Sequence, residues 1–443
     1  MGLNIGITND YLKNNASVPE NLQKYILWAK AREGGSPGLK PSLDLDFARN
    51  KSLIDNVTGQ NLVTFTRASS ATYFDSQGVL QTATTDVPRF DHNPVTGESL
   101  GLLVEEARTN LVLRSEELGT TWTTAAVSVT ADQRVAPNGQ LSMDTVTATG
   151  GSGYLQQTVT VANSTVFNFS IYAYSVANRI RLIIHNGTSD ICNISWTSLS
   201  AGTTSATGTS TNIVTTPIGN SIYRLSFSFT STSTTANVRI QPLDSSGAAV
   251  TGATADCWGA QLEAGSFPTS YIPTTTSAVT RAADVASISG SNFSGWYRQD
   301  EGTVFCDAKE HPFSSSASRA FYGFVNTGDV NNNFLRQWIW SGSTGFVSNS
   351  IYTSTSGPVA ADFATSIANE QKRLAVAVKV NDFAKAYNGA GLATDVLGNT
   401  PNGIDAVWIG SSNSASLPLN GTIRRLTYFP QRLSNSTLQE LTR

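Results

Sequence analysis

Apolar and polar residues alternate with a period of two through most of this chain, which is the periodicity of half-buried strands. In "STVFNFSIYAYSV", Phe167, Phe169, Ile171, Ala173 and Ser175 share one face. The stretches "YLQQTVTV", "IRLIIHN", "YRLSFSFTS", "ANVRIQPL" and "CWGAQLEAG" have strand length and are spaced by small polar turns. They predict an antiparallel sandwich or jelly roll between about Val127 and Thr276. A second strand series begins near Gly290, with "GTVFCDAKE", "RAFYGFVN", "FLRQWIW", "RLAVAVKV", "FAKAYNG", "DAVWIGSS" and "GTIRRLTYFPQRLS". Shorter apolar runs, "LDLDFA" and "LVTFTRA", precede both series and are punctuated by the turns "NVTG", "DSQG" and "NPVTG".

Two stretches depart from this pattern and predict helices. In "SVPENLQKYILWAKAREGG", Ser17 caps, Pro19 sits in the first turn, and Glu20 completes a capping box. Leu22, Tyr25, Ile26 and Ala29 then recur at helical spacing until Gly34 and Gly35. The apolar stripe must be buried, either on a partner or on the chain's own body. A short helix, "SNSTLQELTR", closes the chain, capped by Ser434 or Asn435. The prolines of "SFPTSYIPTTTSAVTRAAD" exclude central-strand pairing and predict an interdomain strap. The division expected is therefore an N-terminal anchoring segment at 1–40 and a β connector at 41–115. A jelly-roll sandwich at 116–278 and a second sandwich at 279–443 follow. The fold class is all-β, tandem antiparallel β-sandwiches with a short N-terminal helical segment.

Composition narrows the functional classes. Charged residues make up only 14% of the 443, so Ser, Thr, Asn and Gln must solvate the surface. The net charge of -3 is spread along the chain, and no basic stripe tracks phosphates, so nucleic acid is not an expected partner. Cys192, Cys257 and Cys306 are isolated and predict buried thiols rather than a disulfide framework or a zinc site. No basic leader precedes an apolar run, and no apolar stretch reaches the roughly 18 residues that span a bilayer. The expectation is synthesis in a cytoplasm, with release by lysis if the protein acts outside, and no membrane insertion.

One stretch gathers residue types used in hydrolysis. "PRFDHNPVTGESLGLLVEEARTN" holds Arg89, Asp91, His92, Glu98, Glu105, Glu106 and Arg108. Asp91 with Glu98 or Glu105 has the makings of a glycosidase carboxylate pair. The alternative is a charged hairpin in which arginine–carboxylate pairs fix a junction, and this reading is preferred. The three histidines, His92, His185 and His311, form no HxxxH or HxE arrangement, and no GxSxG elbow is present. "GDVNNN", Gly328 to Asn333, spaces oxygens like the start of a calcium loop but lacks the later Gly and Glu. It reads as a polar turn with calcium as a candidate ligand; no other cofactor is expected.

Three segments resemble a known family. "FTRASSATYFDSQGVLQTATTDVPRFDHNPVTGESLGLLVEEARTNLVLRSEEL" resembles a module of tailed-bacteriophage and prophage virion proteins of the tail or tail-fibre type. "WGAQLEAGSFPTSYIPTTTSAVTRAAD" is similar to the end of the carbohydrate-binding-like jelly roll that follows it there. "LNGTIRRLTYFPQRLSNSTLQELT" is similar to the end of concanavalin A-like and laminin G-like sandwiches. The resemblance covers most of the chain from about Thr64. It implies a virion appendage protein, made in the host cytoplasm, that joins other virion proteins through its N-terminal segment. It also implies a homo-oligomer, a trimer as fibres usually are or else a dimer, with a lectin-like outer end that binds host surface polysaccharide without catalysis. The alternatives are a purely structural head decoration, fibre or baseplate adaptor, and a depolymerase. The last usually needs a parallel β-helix or a carboxylate groove, neither of which the sequence shows.

A sugar site needs aromatic faces beside hydrogen-bonding side chains. In the final sandwich, Trp338 and Trp340 alternate on one strand face next to Arg336 and Gln337. Tyr352 and Tyr387 lie near Gly- and Asn-rich loops, and Trp296 begins the domain. These five are the candidate glycan contacts. Trp258 reads as core.

Overall fold

The computed structural model describes residues 40–310, 318–331, 333–339, 347–353, 356–359, 371–414 and 416–443. The N-terminal helix expected at Val18 to Glu33 lies outside the described residues. The two antiparallel sandwiches are present, but one is nested inside the other rather than following it.

The outer sandwich draws on both ends of the described chain. Its eight-stranded sheet runs Ala390–Asp395, Phe383–Tyr387, Lys372–Lys379, Glu301–Glu310, Gly421–Phe429, Ser99–Val104 and Phe90–His92, with Leu43–Leu45 also on Gly421–Phe429. Leu43 faces Tyr428 in that pairing, and Val104 faces Gly421 further along the same strand. The opposing seven-stranded sheet begins at Thr64–Thr66, which pairs with Val285–Ser289. Leu45, Leu102, Val304, Val376 and Leu426 from one sheet meet Phe65, Ile288, Phe324, Leu335 and Val407 from the other in a single core. The C-terminal helix Asn435–Leu441, capped by Ser434, brings Leu438 to the other side of the first sheet, against Phe305 and Phe429.

The separate connector expected at 41–115 is therefore corrected. Its main strands are three to six residues long, too short to enclose a core alone. They complete the sheets of the C-terminal sandwich instead. The exceptions are Arg108–Asn110 and the hairpin Ala71–Phe74 with Leu80–Ala83, which stands apart as a two-stranded sheet.

The inner sandwich occupies the chain between Arg108–Asn110 and Val279–Arg281. Those two strands pair antiparallel, Asn110 opposite Val279, and form a neck. One six-stranded sheet runs Ser210–Gly219, Ile222–Thr230, Val166–Tyr174, Thr254–Ala264, Leu141–Ala148 and Val127–Val135. The other runs Thr203–Gly208, Asp190–Ser198, Ile180–His185, Thr235–Pro242, Tyr154–Thr160 and Thr123–Ala125. Phe167, Phe169, Ile171 and Ala173 lie in the core between the sheets, on one face as their spacing predicts, with Leu182, Ile194, Trp196 and Ile240 opposite. The residues from Gly265 to Ala278 form no strand and act as the expected strap.

Candidate functional site

The charged stretch lies at the junction of the two sandwiches, and its ions are buried. Arg67 and Arg89 come from the first part of the outer sandwich, Glu105 from the end of Ser99–Val104, and Arg281 and Asp284 from the returning chain. The side chains of Arg67, Arg89, Glu105 and Asp284 are wholly buried and that of Arg281 almost so. Arg67 Nη1 is 3.0 Å from Asp284 Oδ1, and Arg89 Nη2 reaches Oδ2 of the same carboxylate. Glu105 Oε2 lies 2.9 Å from Arg89 Nη1 and 3.2 Å from Arg281 Nη1. The strap adds Ser270, whose N–H and hydroxyl donate to the two Glu105 oxygens at 2.7 and 2.6 Å. Backbone carbonyls take further arginine donors: Thr72 from Arg89, and Thr84 and Val87 from Arg67. Buried charges persist when they are paired with opposite charges, as each is here, although among the described residues Arg89 Nε and Arg281 Nε and Nη1 make no hydrogen bond.

This arrangement is not a carboxylate pair flanking a groove. Glu105 is held by two arginines and a serine. Glu98 is largely exposed and bonds Arg424 at 2.6 Å. Asp91 Oδ1 accepts the Phe74 N–H at 2.7 Å. Burial pushes the Asp91 carboxyl up to about 6, while the Phe74 N–H and the Arg89 charge oppose the rise. The turn between Phe90–His92 and Ser99–Val104 closes as predicted, with Gly97 N–H donating to Asn93 O and Asn93 N–H to Glu98 O.

The other nucleophile and ligand chemistry is likewise occupied. Burial pushes the Cys192 thiol up to about 12 and also raises those of Cys257 and Cys306, so none is a thiolate at neutral pH. Among the described residues, no group of three or more His, Cys, Asp or Glu side chains is arranged to hold a metal. In the 328–333 turn, Asp329 Oδ2 accepts the Asn333 amide at 2.8 Å. Its oxygens serve the turn itself.

Four of the five predicted sugar contacts lie within the described residues, on different elements of the outer sandwich. Trp296 is corrected to core. It is buried, with Phe293 and Tyr428 centroids at 4.8 and 5.3 Å, and its Nε1–H donates to Asn292 O. Tyr387 packs partly buried against that core, on a strand paired with Lys372–Lys379 in the eight-stranded sheet. Trp338 and Tyr352 belong to the opposing sheet, on the paired strands Phe334–Ile339 and Val347–Thr353. Trp338 faces Ser348 and Tyr352 faces Phe334, which separates them by four positions, roughly 13 Å along the ladder. Trp340 lies outside the described residues.

A different surface presents the required groups. The inner sandwich has two outer faces. One, on the sheet containing Val166–Tyr174, is covered. The hairpin contributes Leu80 and Phe74, the strap contributes Tyr271, and they meet Met143, Tyr172, Ile218, Ile222 and Trp258. The Trp258 and Tyr271 rings lie 4.7 Å apart. Trp258 is buried as predicted, at this seam rather than between the sheets.

On the opposite outer face, among the described residues, no strand or helix packs over the sheet. Its polar residues alternate with core residues on each strand: Tyr154, Gln156 and Thr158; Arg181 and His185; Asn193 and Ser195; Asn237, Arg239 and Gln241, of which Asn237 and Gln241 are buried among their neighbours. Cross-strand hydrogen bonds hold them in place. Arg181 Nε donates to Ser195 Oγ at 2.8 Å and its Nη1 to Gln241 Oε1 at 2.9 Å. Arg239 Nε donates to Gln156 Oε1 at 2.7 Å, and its guanidinium lies over the Tyr154 ring, 4.5 Å from the centroid. Thr158 donates to Asn237 Oδ1 at 2.7 Å. Burial and the Arg239 charge hold His185 below its ordinary value, and its Nδ1 accepts the Gly187 N–H.

No family model and no curated protein matches this chain. Solved structures that resemble parts of it are β-sandwich proteins. The CBM40 module of Ruminococcus gnavus IT-sialidase, bound to alpha2,3 sialyllactose, covers 33% of this chain and 84% of its own, with 18% identity and a TM-score of 0.29. A Limulus polyphemus SAP-like pentraxin covers 32% and 70%, with 14% identity and a TM-score of 0.26. A structure of botulinum neurotoxin type C, whose cell entry depends on interaction with two ganglioside molecules, covers 36% and 39%, with 12% identity and a TM-score of 0.28. With scores at this level the fold rests on the strand pairing above.

Sequence reasoning missed the open face, although its signal was present. Tyr154, Gln156 and Thr158, Arg181 and His185, and Asn237, Arg239 and Gln241 each fall on one phase of the two-residue period, with Gln157 the polar exception.

Proposed function

We propose that this protein is a non-catalytic, glycan-binding appendage of a tailed-bacteriophage virion. The observation that carries the glycan reading is the uncovered face of the inner sandwich. Its guanidinium groups are pre-set by cross-strand hydrogen bonds, and among the described residues no strand or helix packs extensively over it. Such an array matches the hydroxyl-rich surface of a saccharide and loses little side-chain entropy on binding. The virion assignment is supported by the resemblance of residues 65–118 and 258–284 to modules of phage tail proteins. On this reading the N-terminal segment joins the particle, the protein is a homotrimer, and multivalency raises the strength of individually weak sites.

The test is a fluorescent fusion of the full chain incubated with host cells, beside chromatographic sizing of host polysaccharide after contact with the pure protein. Binding that free polysaccharide competes away, without shortening of the polymer, is expected. Absence of cell binding leaves a purely structural appendage; shortening of the polymer makes the protein a depolymerase.

A further inference from the structure

We propose that the open face of the inner sandwich is selective for acidic polysaccharide, a sugar carboxylate being held between Arg181 and Arg239. The inference rests on the glycan-binding reading and specifies its ligand class and place.

Charge on this sheet is sparse and one-sided. Its six strands carry three fully charged side chains, Arg181, Arg239 and Asp190. The balance is one positive charge on a protein whose net charge is -3. The two arginines sit on adjacent strands. Arg181 faces Gln241 and Ile183 faces Arg239, so the arginines are diagonal neighbours on one face, with backbones roughly 7–8 Å apart. One pyranose ring with its carboxylate spans such a gap.

Each guanidinium is oriented by protein and left with donors to spare. Arg181 commits Nε and Nη1 to Ser195 and Gln241 and leaves Nη2. Arg239 commits Nε to Gln156, and its Nη1 makes only a 3.7 Å contact with Asp190 at the rim. Its Nη2 is left as well. Planar, pre-oriented guanidinium donors recognise carboxylates in paired hydrogen bonds, which lysine does not reproduce. The remaining Gln156 and Asn193 amides and the Tyr154 hydroxyl suit sugar hydroxyls around that charge.

Asp190 supplies a diagnostic. It is the one carboxylate on the sheet and competes with a bound anion for Arg239. Removing its charge strengthens binding, an effect that misfolding does not imitate.

The experiment is calorimetric titration of the full chain with oligosaccharides of polygalacturonate, hyaluronan and polysialic acid. Each is paired with its carboxyl-reduced counterpart. At least one acidic probe is expected to bind, to lose about 10-fold or more in affinity on carboxyl reduction, and to weaken as salt is raised. Arg181→Gln and Arg239→Gln each lower its affinity about 10-fold with melting temperature nearly unchanged, and Asp190→Asn raises it a few-fold. Equal binding of native and reduced probes overturns acidic selectivity while leaving the glycan reading intact. Acidic binding that is unaffected by all three substitutions overturns this face as the site. If no probe binds but the fusion still binds host cells through a neutral polysaccharide, the acidic class fails alone; if it binds neither, both readings fail.

Discussion

The two outer faces of the inner sandwich have similar composition and opposite fates. On the covered side, Asn168, Ser170, Ser228, Gln261 and Glu263 point away from the core, yet all are fully buried. On the open side, Gln156, Arg181, Asn193 and Ser195 occupy equivalent outward positions and keep contact with solvent. The difference comes from two segments outside the strands of the inner sandwich, a sequence-distant hairpin from residues 71–83 and the strap from 265–278 that follows strand Thr254–Ala264, which fold over one sheet only. A polar residue on a strand thus marks the outward face, and tertiary contacts decide whether that face meets water.

The comparison breaks most severely at the junction that holds the cover in place. Glu105→Gln leaves the three buried arginines, Arg67, Arg89 and Arg281, with Asp284 as the one carboxylate of the cluster. It is expected to cost about 3–5 kcal/mol in denaturant unfolding, the usual penalty for an uncompensated buried ion. A cost below about 1 kcal/mol means the cluster does not secure the covered face.

The next effect depends on pH. Asp91 beside the seam has its carboxyl raised to about 6, so the folded state holds a proton that the unfolded chain releases near pH 4. Stability therefore falls as pH rises from about 4 to about 6 and levels off above, by on the order of 1–3 kcal/mol. Asp91→Asn should flatten that segment of the melting-temperature profile. An unchanged profile assigns the titration elsewhere.

Smaller still is Tyr172→Phe on the covered face. The Tyr172 hydroxyl is buried without a protein partner, and burial raises its pKa. Its removal is expected to be neutral or stabilising by about 1 kcal/mol. Destabilisation shows that the seam holds a bonded water or ligand. Asn193→Ala on the open face should change stability by less than about 0.5 kcal/mol, since the side chain has no cross-strand bond there. A larger loss of stability shows that this face is covered in solution.

Strands were legible in the sequence because alternation is local. Phe167 to Ala173 and the Ser434 cap needed no tertiary information. The nesting was not legible, because the pairing of Thr64–Thr66 with Val285–Ser289 leaves no local trace. The charged stretch was read correctly as a junction, yet its partners Arg281 and Asp284 lie some 180 residues on, in a segment read only as a strap. Trp296 misled because a tryptophan beside a glycine and a tyrosine looks the same whether it borders a loop or, as here, fills a core.

Nesting also fixes an order of assembly on the ribosome. All strands of the inner sandwich lie between residues 123 and 264, so it can close while the rest of the chain is still being made. The outer sandwich must wait. Leu43–Leu45 finds its partner only when residues 426–428 emerge, and Asp44 meets Arg425 across 381 positions. Until then the first strands are apolar edges without partners, exposed to other nascent chains. The early segments are therefore the part of this protein that most needs a chaperone, and slowing translation late in the message should lower the yield of soluble protein more than slowing it early.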